Sequence, residues 1–278
     1  MATTKVSIVV ITLNSADYLG NLLKSLSSQT LKPSEIIIVD GGSTDGTAEL
    51  ARRWGCKVYV QPRTNRAEAR NFGVMKAKGN IVAFIDSDCI AESDWLEKLT
   101  RKLVGNKDKS IAGVAGRTLA ANRDKLIPYL IELASCASNG IHYATWNIAY
   151  RKDVVLEVGG FDERLHAAED QALAWKVLRK GYKIVWEPEA IVYHKHRETL
   201  LSFLKQQYEY GKWAVIAKRL YGISYYRSLL LVFAWPILLL YKYFRMVKHH
   251  PILPIFLAIS AIAYSLGAWR GLLCKLES

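Results

Sequence analysis

The chain has 278 residues and four cysteines, none in a CxxC pair, which sets aside a disulfide framework or a zinc ribbon and leaves room for one α/β domain with an appendage. Its formal charge of +13 is uneven, because Lys195 to Ser278 holds twelve Lys and Arg against three acidic residues. That excess flanks the apolar material beyond residue 220, a pattern of attraction to anionic headgroups at about 1 kcal/mol per basic residue, so membrane lipids are the expected partner and nucleic acid is not.

In chain order, the apolar run at the N-terminus is too short for the usual organisation of a signal peptide. It reads as a first strand, Val6 to Ile11, ending at Thr12-Leu13-Asn14. Tyr18 to Leu26 has helical spacing. A second β-branched strand, Glu35 to Asp40, runs into Gly41-Gly42-Ser43-Thr44-Asp45-Gly46-Thr47 and a helix to Trp54, with Thr44 or Asp45 as its cap; Lys57 to Gln61 is a third strand. A helix over about Ala67 to Ala77 precedes a fourth strand, Ile81 to Ile85, that runs into Asp86-Ser87-Asp88. This alternation predicts a mainly parallel sheet covered on both faces by helices.

Further on, Asp94 to Leu103 is expected as a helix, Ile111 to Arg117 as a strand, and Thr118 to Tyr143 as a partly helical excursion where an acceptor could bind. Trp146 to Tyr150 is a short strand, Lys152 to Val158 and Glu169 to Lys180 are helices, and Lys183 to Trp186 and Ala190 to Tyr193 are two last strands with Pro188 at the turn between them. The character then changes. Leu200 to Tyr221 is amphipathic and basic, and two uncharged stretches follow, Ser228 to Tyr241 and Pro251 to Trp269. Only the second approaches the roughly 20 apolar residues that span a bilayer. Two full crossings would put the basic loop around Arg245 and Lys248 outside, against the positive-inside tendency. A membrane-attached hydrophobic helical hairpin is therefore expected, with the catalytic domain on the cytoplasmic side.

The chemistry sits at strand ends. Two aspartates one residue apart, Asp86 and Asp88, leave a strand toward the carboxyl edge of the sheet, where α/β folds bind ligands, and hard cations take carboxylate oxygens and complete their shell with substrate phosphates. Alone, the pair could equally cap the next helix. Asp40 ends another strand before a glycine-rich turn that lets backbone approach a ligand, and Glu169-Asp170 opens a helix, where acidic groups are also favoured by the dipole. Neither GxGxxG after the first strand nor GxxxxGK[ST] occurs, so a dehydrogenase or P-loop nucleotide site is disfavoured.

Taken together, VVITLN, IIIVDGGSTDGT, AEARNFGV, FIDSD, WNIAYRKDVVLEVGGFDE, AAEDQALAWKVLRKGYKI and VYHKH make the chain resemble the family 2 glycosyltransferases of GT-A fold across about 190 residues. The resemblance implies Thr12 and Asn14 near the nucleotide, Asp40 toward its base and Arg70 toward nucleotide or diphosphate. It implies Asp86 and Asp88 at ribose and metal, with Asp88 the direct ligand of Mn²⁺ or Mg²⁺ and His194 a further one. Asp170 is implied as the base that deprotonates the acceptor and Glu169 as its support, the choice between the two staying open. The reaction would be a single inverting displacement from a UDP- or GDP-sugar to a glycan or lipid-linked acceptor. The chain departs from the QxxRW signature of processive synthases, reading QALAWKVLRKG after Asp170, and CIAESDW after DSD does not match the continuation common in polyprenyl-phosphate monosaccharide synthases. Single-sugar transfer is favoured, with polyprenyl-phosphate transfer second and a catalytically silent membrane scaffold as the non-enzyme alternative. The expected organisation is residues 1–199 catalytic, 200–227 a basic linker helix and 228–278 a membrane-associated tail.

Overall fold

The structure is a computed structural model, and the residues it describes are 5–104, 109–136, 143–226 and 250–274. The chain divides into two compact units, Met1–Ala121 with Ile141–Lys195, and Asn122–Gly140 with His196–Ser278.

The first unit is built on an eight-stranded sheet. In chain order its strands are β1 (Val6–Thr12), β2 (Glu35–Asp40), β3 (Lys57–Val60), β4 (Ile81–Phe84), β5 (Cys89–Ala91), β6 (Ile111–Ala120), β7 (Ile148–Arg151) and β8 (Lys183–His194). They lie in the order β3-β2-β1-β4-β7-β6-β8-β5. The four strands β3 to β4 are parallel; β7 runs antiparallel to both its neighbours, β8 returns parallel to β6, and β5 closes the edge antiparallel to β8. Burial on both faces explains the unbroken β-branched runs. In β1, Val6, Ile8 and Val10 enter one core cluster, while Val9 and Ile11 enter the cluster on the other face.

Helices α1 (Ala16–Ser27), α2 (Thr47–Arg53), α3 (Arg66–Lys76), α4 (Trp95–Thr100), α6 (Lys152–Glu157) and α7 (Glu169–Arg179) belong to this unit, and α5 (Leu126–Cys136) to the other. Helix α1 buries Leu19, Leu22, Leu23 and Leu26, the stripe that its spacing predicts. Helix α3 starts where Asn65 and Glu68 form a reciprocal capping box. It lies so close to β1 that a Cβ on Gly73 would come 2.5 Å from Val9. The helix after the glycine-rich turn starts from Gly46 at φ +86, and the Asp45 carboxylate accepts from the Thr47 amide at 3.1 Å.

Three local differences from the sequence reading have physical causes. The two last strands are one, β8, because β6 pairs with both halves; its register jumps from Gly116↔Glu187 to Arg117↔Ile191 and leaves Pro188 in the bulge, where its missing N–H costs no ladder bond. Strand β6 runs on through Thr118 to Ala120 before the excursion begins. The short β5, unmarked by any periodicity, forms because the chain after Asp88 meets the end of β8.

At the start of β2, Glu35 ties three segments together, accepting from Ser7 Oγ at 2.6 Å, the Lys78 amide at 2.6 Å and Lys57 Nζ at 2.5 Å. Burial alone would raise its pKa, but the bonds from Lys57, Ser7 and Lys78 outweigh it and hold the carboxyl down to about 2. Its stabilisation is therefore complete above the ordinary glutamate value of 4.5 and is lost as pH falls toward 2. Glu35→Gln should cost about 1 to 2 kcal/mol at pH 7, discounted for the exposed Lys57, and progressively less below pH 4.5. Urea unfolding of both proteins at neutral and acidic pH checks this.

In the second unit, α8 (Leu200–Leu220) and α9 (Leu253–Leu273) meet through glycine: Gly211 faces the Tyr264 carbonyl, Gly267 that of Tyr208 and Gly271 that of Lys212, each too close for a Cβ. Arg219 donates to the carbonyls of Gly271, Leu272 and Cys274 and closes the end of α9. Helix α5 shares a small core with them, through Leu130, Phe203, Leu253 and Phe256. Helix α9 has 21 residues, with an 18-residue stretch of mean hydropathy 1.4, long and apolar enough to cross a membrane. The other arm of the expected hairpin, Ser228 to Tyr241, lies outside the described residues.

Candidate active site

The order β2-β1-β4 makes β1/β4 the point where the winding of the sheet reverses, and the carboxyl ends of these strands carry Thr12, Asp40 and the chain into Asp86. Asp40 is fully buried. One of its oxygens accepts from Thr12 Oγ1 at 2.8 Å and Ser43 Oγ at 2.6 Å, the other from the amides of Gly42 at 3.1 Å and Ser43 at 2.8 Å. Those four bonds fill the lone-pair sites of a carboxylate, so Asp40 shapes the glycine-rich turn. Asn14, in the left-handed region at φ 48, reaches across, its amide donating to Ser43 Oγ and its side-chain oxygen accepting from the Thr44 amide. The result is a cradle of backbone held from both strands.

Beside the cradle, Arg70 of α3 is 4% exposed. It donates to Glu169 at 2.5 Å and to Asp86 at 3.3 Å. The guanidinium, expected toward nucleotide or diphosphate, joins the DxD segment to the start of α7. Burial would weaken its protonation, but Glu169, Asp86 and Asp170 more than compensate and raise its pKa. Glu169 is buried and held in this pair, whereas Asp170 is largely buried but makes no ion pair among the described contacts. Burial first, and then the charge of Glu169, push the Asp170 carboxyl up to about 7 against the pull of Arg70. Ala168, which precedes them, adopts φ 64, a conformation that costs a non-glycine residue about 1 kcal/mol or more. Tyr150, fully buried on β7, has no hydrogen-bond partner for its hydroxyl among the described residues, and burial and the nearby Asp170 push its pKa well up.

Asp88 lies 3.4 Å from His194 Nε2. Strand β5 causes this meeting by pairing Cys89 with His194, and the Lys195 amide donates to the Asp88 carbonyl at 3.0 Å. The imidazole stacks on Trp146, with ring centroids 5.0 Å apart and planes 6° from parallel, and Trp146 in turn donates to Thr118 at 3.1 Å. The Cys89 sulfur, a carboxylate oxygen of Asp88 and a ring nitrogen of His194 lie within 4.8 Å of one another. Burial pushes the Cys89 thiol well up, and Asp86 and Asp88 add to it.

The structure thus gathers Arg70, Asp86, Glu169 and Asp170 in one cluster, pairs Asp88 with His194, and joins Thr12, Asn14 and Asp40 in the cradle. Sequence reasoning passed over Trp146, Tyr150, Cys89 and Ala168. Trp146 and Tyr150 lie inside the WNIAY motif, but nothing in a strand pattern distinguishes a ring that stacks on His194 from one in the core.

Residues 7–159 match the family described as Glycosyl transferase family 2. Glycosyltransferase AglE of Haloferax volcanii is 28% identical over 221 residues, 74% of this chain and 72% of its own. The O-antigen chain rhamnosyltransferase RfbN of Salmonella typhimurium is 25% identical over 224 residues, covering 74% and 71%. Among solved structures, mannosyltransferase PcManGT of Pyrobaculum calidifontis, in complex with GDP-Man and Mn²⁺, superposes with a TM-score of 0.72 at 19% identity, over 97% of this chain and 87% of that one. Glucosyl-3-phosphoglycerate synthase of Mycobacterium tuberculosis, in complex with Mn²⁺ and UDP-Glc, does so at 0.59 and 20%, over 80% and 81%. The structural likeness carries the fold, an α/β sheet of GT-A type.

Proposed function

Because the chain belongs to glycosyltransferase family 2, we propose that it is an inverting, metal-dependent enzyme that moves one sugar from a UDP- or GDP-sugar to a glycan or lipid-linked acceptor at a membrane. The observation that carries this reading is the cluster of Asp86, Glu169 and Asp170 around a single guanidinium at the sheet edge, next to Asp88 and His194. Such an acidic edge repels a diphosphate unless a cation joins it. A carboxylate oxygen and an imidazole nitrogen 3.4 Å apart are donors that Mn²⁺ accepts, and Mg²⁺ through its oxygen. When bound, the ion would neutralise charge on the departing diphosphate.

In this reading the side chains divide the remaining work. Thr12, Asn14 and Asp40 hold the backbone cradle against the nucleotide, with Asp40 acting through the turn. Arg70 is a positioning residue that fixes Asp86 and Glu169. Asp170, free of that ion pair and with its carboxyl raised to about 7, takes the proton of the acceptor hydroxyl as it attacks the anomeric carbon and the bond to the diphosphate breaks. Glu169, buried and tied to Arg70, supports it.

Residues 1–199 carry the chemistry in this reading, with the linker 200–227 and the tail 228–278 attaching the enzyme to lipid, its catalytic domain facing the cytoplasm. Ile255, Ile262, Leu266, Trp269 and Leu273 are exposed on α9, an apolar stripe suited to hydrocarbon. The test is calorimetric titration of the intact protein with UDP, GDP and dTDP, with and without Mn²⁺. One nucleotide should bind tightly and only with the metal, which names the donor class. If none binds, the reading gives way to a silent scaffold.

A further inference from the structure

Cys89 has no part in the chemistry above, yet its sulfur points where the metal ligands meet. It is the direct partner of His194 in the antiparallel β5/β8 pair, so both side chains leave the same face of the sheet. Asp88 precedes it, with its carbonyl pinned by the Lys195 amide. Among the described residues this is the one place where carboxylate, thiol and imidazole donors converge.

We propose that Cys89 Sγ is a third protein ligand at the Asp88–His194 site, which makes it a mixed oxygen, nitrogen and sulfur site that takes thiophilic divalent ions such as Zn²⁺ and Co²⁺ in preference to Mg²⁺. This rests on the reading of Asp88 and His194 as metal ligands. The three donor atoms lie within 4.8 Å of one another, whereas sulfur and nitrogen ligands of one tetrahedral ion, at about 2.3 Å and 2.1 Å from it, lie roughly 3.6 Å apart, so the donors must close by about 1 Å on binding. Asp88 and His194 are already 3.4 Å apart, so the closing motion is a rotation of the Cys89 side chain toward them, with the 35% exposed Asp88 able to follow and the imidazole held by the Trp146 stack. As the sulfur–metal bond forms, the S–H bond breaks and its proton passes to solvent, with no change of oxidation state. Three protein ligands leave coordination positions open to the diphosphate, and a soft ligand moves selectivity away from hard Mg²⁺.

The test is a Co²⁺ titration of the metal-free full chain in the presence of UDP or GDP, followed by absorption. A near-ultraviolet sulfur-to-cobalt charge-transfer band should grow with the visible ligand-field bands and saturate with them, one proton being released per ion. It should survive replacement of Cys56, Cys136 and Cys274 by alanine together and vanish in Cys89→Ser. In Cys89→Ser the affinity for Zn²⁺ relative to Mg²⁺ should fall on the order of tenfold or more, since loss of even an outer-shell partner has that effect. Visible bands that Asp88→Ala abolishes, with no charge-transfer band in the unmutated protein, would overturn the role of Cys89 and leave the metal site standing. Absence of any Co²⁺ bands would remove both.

Discussion

Asp88→Ala is expected to lower sugar transfer by roughly a thousandfold, the equivalent of about 4 kcal/mol of lost transition-state stabilisation, and excess Mn²⁺ should not restore it. Asp88 is the carboxylate at the end of the DxD segment that faces the imidazole, 3.4 Å away, and its side chain is 35% exposed. Removing a partly solvated carboxylate should leave unfolding free energy within about 1 kcal/mol of the original, so a lost activity reports on the site. His194→Ala takes away one nitrogen donor and leaves the carboxylate, so its activity should recover in part at high Mn²⁺. Initial rates across a Mn²⁺ titration separate the two. Comparable rates for Asp88→Ala and the unmutated enzyme would mean that Asp88 holds no catalytic metal.

Most of the sheet was legible because its leading strands are β-branched runs with marked stops: Val6 to Thr12 ends in an asparagine turn, Glu35 to Asp40 in glycines, Ile81 to Phe84 in aspartates. Those stops are also ligand-binding edges in α/β folds, so strand ends and candidate site residues were found together. Illegible were the features that depend on distant pairing. Three residues, Cys89 to Ala91, carry no period of their own and become a strand only against β8, and that pairing is what delivers His194 to Asp88. The partners of Arg70 were hidden for the same reason: Glu169 is 99 positions away, and a sequence cannot say whether an arginine faces a diphosphate or a buried carboxylate. The bonds of Asp40 were hidden in the same manner, since three come from a turn whose closure is tertiary and the fourth from Thr12 on the neighbouring strand.

The two carboxylates at the start of α7 should be separable by experiment, because Glu169 is paired with the Arg70 guanidinium and Asp170 is not. Asp170→Asn is expected to reduce kcat by about 10²- to 10⁴-fold, the usual contribution of a general base, while nucleotide affinity stays the same. The unmutated enzyme should gain activity as pH rises through about 7, where burial and Glu169 have placed the Asp170 carboxyl, and the variant should lack that rise. Stability supplies a second readout. A carboxyl whose folded pKa lies above its ordinary value binds protons more tightly in the folded state, so its ionisation weakens the fold as pH climbs from about 4 toward 7. Asp170→Asn escapes that penalty and should be more stable than the unmutated protein above pH 7. Glu169→Ala should do the opposite. It leaves Arg70 buried with only the longer 3.3 Å contact to Asp86; breaking a buried pair costs about 3 to 5 kcal/mol, and the surviving partner favours the lower end. Activity would fall as well, since Asp86 and α7 are no longer held together. The pair of variants therefore distinguishes chemistry from scaffolding: a Glu169→Ala that keeps full stability but loses the pH dependence would assign the base to Glu169 instead.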